Sequence, residues 1–272
     1  MSSRSRASLD RLHEFWIHDR YLHLSPYHHY RKRLILKLLH GLKAKNCMAL
    51  DVGCGIGEII VELTKRGFGC LGLDLSEYAL HKAKPRAASQ DFLLCDARFL
   101  PVRSGSCDLV VCSELLEHIR EDSDVLSEIA RVLLPGGRSI LTVPHWDKYW
   151  THGDEMDGHL RRYSKPQFLS AIERAGFTAE KVICWGFPLA VLFRKFVSSP
   201  IFETGRHRSL LSVGESRIYG LFMRFLIELF RVDGMFSSLA YGLGLAARIR
   251  SRRVMAYAHP TSLARNLETS RE

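Results

Sequence analysis

Gly53, Gly55 and Gly57 occupy alternate positions in the run Ala49-Leu50-Asp51-Val52-Gly53-Cys54-Gly55-Ile56-Gly57-Glu58. Glycines so spaced let a backbone turn tightly and come close to a ligand. Seventeen residues past Gly57 stands Asp74, whose carboxylate could accept hydrogen bonds from both ribose hydroxyls of a nucleoside. Glycines with an acid in register suit a nucleotide cofactor, dinucleotides included. Two further acids point elsewhere. Asp51, ahead of the glycines, could face a cationic ligand rather than a pyrophosphate, and Asp96 in Cys95-Asp96-Ala97 could accept from an adenine amino group. Taken singly, the glycines could be only a strand-to-helix turn and Asp96 a turn residue. Cys54 and Cys112 are small fillers of tight space.

A second group lies in Ser113-Glu114-Leu115-Leu116-Glu117-His118. On a helix, Glu114, Glu117 and His118 at i, i+3 and i+4 would share one face. Two carboxylates and an imidazole could hold a divalent cation, or His118 could act alone as a base. A third group, from His145 through Tyr149, His152, Asp154, Asp157 and His159 to Arg161, Arg162 and Tyr163, crowds aromatics, acids and imidazoles into one loop. His145 and Tyr149 are candidates for contact with a substrate, His159 is a second catalytic candidate beside His118, and Arg161 or Arg162 could clamp a carboxylate or phosphate. The arginines could equally pair with Asp154 and Asp157 while Ser164 caps the next helix.

These groups must be carried by alternating elements. Strands are expected at Cys47 to Val52, Gly69 to Leu75, Phe92 to Cys95, Leu109 to Ser113, Ser139 to Val143, Val182 to Trp185 and Leu239 to Ile249. Between them lie helices at Ile56 to Arg66, Tyr78 to Ala88, Glu121 to Leu133 and Lys165 to Ala175. That alternation means an α/β fold with a largely parallel sheet covered on both faces. The glycine loop then sits at the carboxyl ends of the strands, where open α/β sheets bind ligands. A helix beginning at Ser25-Pro26 and running to about His40 precedes the core. The expected organisation is a helical extension over 1–44, a core over 45–186, a basic apolar helical insertion over 187–238, a final strand over 239–250 and a polar tail over 251–272.

Leu50-Asp51-Val52-Gly53-Cys54-Gly55-Ile56-Gly57, Leu73-Asp74-Leu75-Ser76, Cys95-Asp96-Ala97, Cys107-Asp108-Leu109-Val110-Val111-Cys112, Glu114 to His118 and Leu134-Pro135-Gly136-Gly137 follow one another over about residues 46–186. In this order they resemble the class I S-adenosylmethionine-dependent methyltransferases, specifically the type 11 methyltransferase domain. The resemblance implies a Rossmann-like sheet of seven strands whose last is antiparallel. It also implies S-adenosylmethionine (SAM) as cofactor, held by Asp51, Gly53, Cys54, Gly55, Gly57, Asp74, Leu75, Asp96, Ala97 and Ser113. Glu114, Glu117 and His118 are also similar to residues linked to a divalent metal in the ubiquinone-pathway O-methyltransferases. Methyl transfer is an in-line displacement in which the enzyme chiefly aligns nucleophile, methyl and sulfur, and a hydroxyl nucleophile gains from a base or a metal. The expected activity is transfer to a small or lipid-like acceptor, at oxygen. The alternatives are a protein or RNA methyltransferase, or a non-catalytic membrane-associated scaffold of the same fold.

The chain has 272 residues, 39 Lys plus Arg against 29 Asp plus Glu, a net charge of +10 and 46% hydrophobic residues. This composition excludes a disordered or fibrous chain. Seven scattered Cys without a CxxC pair suggest a reducing cytoplasm and no structural zinc. The polar, basic start Met1-Ser2-Ser3-Arg4 lacks the apolar region of a secretory signal, and no apolar run is long enough to span a membrane. Residues 187–253 hold eleven Lys or Arg and four acids, a net of +7, which leaves +3 for the rest. Within Arg217 to Val232, Arg217, Arg224, Glu228 and Arg231 form one narrow stripe on an otherwise apolar helix. Such a helix could cover a hydrophobic substrate, lie at the inner face of an anionic membrane with its cations snorkelling, or pack against the core or a second subunit. Nucleic acid is not expected, because the basic residues are interleaved with long aliphatic runs.

Overall fold

The computed structural model describes residues 26–193 apart from position 43, positions 221, 224–226, 228 and 229, and residues 244–252. The strands are β1 (Met48–Val52), β2 (Gly69–Asp74), β3 (Asp91–Leu94), β4 (Cys107–Ser113), β5 (Leu133–Pro144), β6 (Phe177–Trp185) and β7 (Gly244–Ser251). They form one seven-stranded sheet in the order β3-β2-β1-β4-β5-β7-β6. β1 pairs in parallel with β2 and β4, β2 with β3, and β4 with β5. β7 runs antiparallel between β5 and β6, as the resemblance implied. Strand order reverses between β1 and β4, which places the switch point of the sheet at the carboxyl ends of these two strands.

The α-helices are α1 (Pro26–Leu38), α2 (Glu58–Lys65), α3 (Glu77–Ala83), α4 (Asp122–Val132), α5 (His152–Met156), α6 (Lys165–Arg174) and α7 (Leu189–Phe193). Both sheet faces are apolar because successive strand residues point to opposite sides. Leu50, Val110, Cys112, Leu141, Ala247 and Ile249 face α4 and α6, which contribute Val125, Ile129, Phe168 and Ile172. Ala49, Leu109, Val111, Ile140 and Ala246 face the other way, against Ile60 and Leu63 of α2 and Tyr30, Ile35 and Leu38 of α1. The N-terminal helix is thus part of the second core layer.

Several boundaries differ from the sequence reading for identifiable reasons. The helix expected over Tyr78 to Ala88 ends at Ala83 and tightens into a 3-10 turn over Lys84–Ala87, where Pro85 lacks the backbone N–H that would continue it. β5 starts at Leu133, ahead of Pro135-Gly136-Gly137, because Leu133 pairs with Cys107 before the register shifts. β6 extends back to Phe177 because β7 pairs with its polar residues Thr178 and Lys181. β7 starts at Gly244 and continues past Ile249, since Arg250 and Ser251 pair with Thr178 and Phe177. Positions 239–243 of the expected strand lie outside the described residues, as do Ser25 and most of the insertion. At the described positions 221, 224–226, 228 and 229 the chain is helical, with Leu226 buried and Leu221 and Phe225 exposed. No helix among the described residues is long and apolar enough to cross a membrane. All seven cysteines are free thiols.

Candidate active site

β1 delivers Asp51 and the glycine loop to the switch point. Gly53, Gly55 and Gly57 have φ of 73°, 49° and 74°, in the left-handed region where only glycine is unstrained. The loop is tied to β2, since Gly53 N–H and Cys54 N–H both donate to the Leu73 carbonyl, at 2.8 and 3.0 Å. Gly57 also leads into α2, and a Cβ there would stand 3.1 Å from that of Ala83. A Cβ on Gly55 would meet nothing within 4 Å. The middle of the loop therefore has open space before it, as a ligand-binding turn requires.

The three acids of the sequence reading gather around this turn in different states. Asp74 ends β2 and is buried; its Oδ2 accepts from Gly55 N–H at 2.7 Å and its Oδ1 from Ser76 N–H at 2.9 Å. It braces the glycine loop, a role its spacing alone did not reveal. Asp51 is 2% exposed. Burial, reinforced by the charge of Asp74, raises its carboxyl to about 8. Asp96 follows β3 and is clasped by Arg98, with Nη2 at 2.7 Å and Nε at 3.1 Å; this pairing holds its carboxyl below the usual range. Leu75 and Ala97 are half-buried beside these acids. Cys54 and Cys112 are buried, and burial pushes both thiols up, which suits fillers rather than nucleophiles.

At the end of β4, Ser113 Oγ lies 2.8 Å from Thr142 Oγ1. Glu114 has φ of 52°, a left-handed conformation that costs a residue with a Cβ about 1–2 kcal/mol. It is held there from three directions. Its N–H donates to the Thr142 carbonyl, its Oε1 accepts from Thr142 Oγ1 at 2.9 Å, and its Oε2 pairs with Arg31 of α1 at 3.2 Å. The chain then makes a 3-10 turn over Leu116–His118. This corrects the expected helical face, because Glu114 turns toward α1 while Glu117 turns inward. The ligand atoms that lie within 4.8 Å of one another belong to Glu117, His118 and His159. Glu117 is fully buried and neither carboxyl oxygen has a hydrogen-bond partner. Burial, with Glu114 nearby, pushes its carboxyl well above the usual range.

The loop after β5 supplies His159. Thr151 and Asp154 cap α5, with Asp154 Oδ2 accepting from Thr151 N–H at 2.7 Å. Asp154 Oδ1 accepts from His159 Nδ1 at 2.8 Å and pairs with Arg162 Nη2 at 2.6 Å. Leu160 N–H donates to the Glu117 carbonyl at 2.8 Å, which locks this loop onto the turn after β4. The His159 ring then meets that of His118 edge-on at 4.8 Å. The remaining candidates take structural places. His145 is buried and donates from Nδ1 to the Tyr163 carbonyl. Arg162 is buried against Asp154, and Arg161 pairs with Asp122 rather than Asp157. Tyr149 packs edge-on against Trp146. Ser164 caps α6 in a capping box with Gln167. Arg31 was absent from the sequence candidates, and Asp154 entered the sequence reading only as a partner for the arginines, the place it takes with Arg162; its position at i−5 from His159 was the signal for the second contact.

A glycine loop at the switch point, acids at the ends of β1 and β2 and after β3, and a β7 inserted antiparallel beside β5 make up the Rossmann-like methyltransferase fold. The methyltransferase domain family matches residues 50–141 of the chain. A ubiquinone biosynthesis O-methyltransferase of Acinetobacter baylyi is 31% identical over 103 residues, 36% of this chain and 42% of that protein. A norajmaline N-methyltransferase of Rauvolfia serpentina is 34% identical over 106 residues, 36% of each chain. The chain spans less than half the length of these curated relatives. Among solved structures, phosphoethanolamine N-methyltransferase 2 of Haemonchus contortus, bound to phosphomonomethylethanolamine and S-adenosylhomocysteine, superposes with a TM-score of 0.63. That match has 19% identity and covers 91% of this chain and 60% of that one, a likeness of fold.

Proposed function

We propose that the protein transfers the methyl group of SAM to a hydroxyl oxygen of a small or lipid-like acceptor. The observation that carries this reading is the meeting of Glu117, His118 and His159 beside the end of β4. A sulfonium methyl is already activated, so the protein must bind the donor, align the acceptor oxygen behind the methyl and remove the acceptor's proton. The glycine loop, Asp51, Asp74 and Asp96 bind and orient the donor. His118 and His159 supply imidazole nitrogens for the proton. The nearby O-methyltransferase and N-methyltransferase relatives act at different atoms, and an amine acceptor would need less help from a base.

The same three side chains fit a divalent cation, because Glu117 is a buried carboxyl without a partner and the imidazoles are ordinary ligands. A bound ion would polarise the acceptor oxygen and lower the pKa of its proton. Activity unchanged by EDTA and by Glu117→Gln would remove the cation from this reading.

The basic apolar stretch over 187–238 is proposed to present an amphiphilic acceptor, at the inner face of a membrane for a cytoplasmic protein. Sedimentation of the full chain with anionic but not neutral vesicles is the expected result. For the activity itself, methyl-tritiated SAM is incubated with a lipid extract and, separately, with a polar-metabolite extract. Label in a methyl ether of the lipid fraction supports the proposal, and label in a methyl ester contradicts the hydroxyl acceptor. Label confined to amines contradicts transfer to oxygen.

A further inference from the structure

We propose that β3, an edge strand of the sheet, pairs antiparallel with β3 of a second copy of this chain. β3 ends the order β3-β2-β1-β4-β5-β7-β6 and has β2 as its neighbour on one side. Cys95 N–H donates to the Asp74 carbonyl at 2.9 Å, and alternate residues of a parallel strand bond to the same neighbour. Asp91 and Leu93 therefore share the inward direction of Cys95, while Phe92 and Leu94 direct their N–H and C=O groups outward. The side chains at this edge are apolar as well. Leu93 and Leu94, on opposite faces of the sheet, are 43% and 41% exposed, and the connection from β3 to β4 contains no helix. Edges are ordinarily blunted by charge, proline or a bulge. β6, the opposite edge, carries Glu180 and Lys181 in mid-strand and shifts register between Ala179 and Lys181. β3 has a charge only at its first residue, Asp91, has no proline, and keeps an unbroken register with β2.

The order of these residues selects both the occupant and the register. With a two-fold axis at Leu93, Phe92 lies opposite Leu94 of the second copy, and Leu94 opposite Phe92 of that copy. The outward groups of Phe92 and Leu94 are then all used, in two hydrogen-bonded pairs that flank one non-hydrogen-bonded pair of leucines. Phe92 and Leu94 of both copies gather on one face, and the two Leu93 side chains meet on the other. Moving the axis to Phe92 would set Leu94 against Gln90, and moving it to Leu94 would set Phe92 against Asp96. Both alternatives put an apolar side chain opposite a polar one. Phe92-Leu93-Leu94 is thus complementary to itself in one register, as an isologous contact requires. A strand of four residues makes a small interface, so the two copies associate reversibly.

The test is the oligomeric state of the full chain in solution. Sedimentation velocity from about 1 μM to about 1 mM, the range in which small interfaces associate, should show the average mass rising from one copy toward two. Leu93→Lys sets two ammonium groups face to face and should weaken association about tenfold or more, with the thermal midpoint of the dilute protein unchanged. Leu93→Cys sets two thiols opposite one another at a Cα separation of about 4.5 Å, within reach of a disulfide. Mild oxidation should then give a covalent dimer in which peptide mapping by mass spectrometry finds position 93 joined to position 93. Position 94 lies two residues out of line with its own copy, so Leu94→Cys should give no such bond between the two positions 94. A mass of one copy across the whole range overturns the proposal. A dimer unmoved by Leu93→Lys overturns it too, as does oxidised Leu93→Cys without the bond at position 93. The disulfide stands as the test of β3 even if Leu93→Lys fails to fold.

Discussion

Asp51 offers a quantitative test of how the site recognises its donor. Burial at the end of β1, reinforced by Asp74, raises its carboxyl from 3.8 to about 8, so the unliganded protein holds it protonated at neutral pH. SAM brings a sulfonium and an α-ammonium, and a cation beside this group favours the carboxylate. Binding must then expel the proton, at about 1.4 kcal/mol for each pH unit below 8. Affinity should therefore rise about tenfold per unit, or on the order of 100-fold between pH 5.5 and 7.5, a window in which the ligand's own ammonium stays charged. Isothermal titration in two buffers of different protonation enthalpy reads both quantities, with close to one proton released at the acidic end. Asp51→Asn keeps the shape, cannot titrate, and should flatten the slope. The same shift has a stability consequence of fixed sign. The native state holds a proton that the unfolded chain releases near 3.8, so this contribution is complete below about pH 4 and is lost as pH rises through about 8. Unliganded wild type should lose stability across that window relative to Asp51→Asn. Affinity independent of pH in the wild type, or an equal slope in Asp51→Asn, would refute the reasoning.

Gly55→Ala and Gly72→Ala should fail in different ways. The first meets open space and only the left-handed φ opposes it, so urea unfolding should report a loss of about 1–2 kcal/mol while SAM affinity falls steeply. The second drives a Cβ to 2.6 Å from the Phe92 ring and should cost about 1–3 kcal/mol of stability with a smaller effect on binding. Asp96→Ala should weaken SAM about tenfold but barely affect an inosine analogue that lacks the amino group, as competition binding would show. Arg162→Met leaves Asp154 buried without its cation and should destabilise by about 3–5 kcal/mol in denaturant titration, with part regained on adding Asp154→Leu.

The sheet was legible because buried parallel strands are apolar throughout and the helices between them carry an apolar stripe. β1, β2 and β4 lie within a residue or two of their expected ends. What blurred were elements whose limits depend on partners, such as β6, whose polar first half joins the sheet only because β7 pairs with it. The glycine turn after β1 was legible for a similar reason, since glycines that need positive φ cannot be disguised by other residues. The turn after β4 was harder to read. Periodicity suggested one helical face for Glu114, Glu117 and His118, but the left-handed Glu114 broke it and joined Arg31, more than eighty residues earlier in the chain. Asp154 looked like one acid among several in a charged loop. Only folding shows that it is sealed from water and shared among Thr151, His159 and Arg162.

The central claim is that one site binds SAM on the glycine loop and directs its methyl toward His118 and His159. A crystal structure of the full chain with S-adenosylhomocysteine tests it most directly. The expected result places the ribose hydroxyls on Asp74, the adenine amino group at Asp96, and the sulfur on the side of the loop that faces the two imidazoles. A nucleoside bound away from Gly53–Gly57, or a sulfur directed away from His118 and His159, would contradict it.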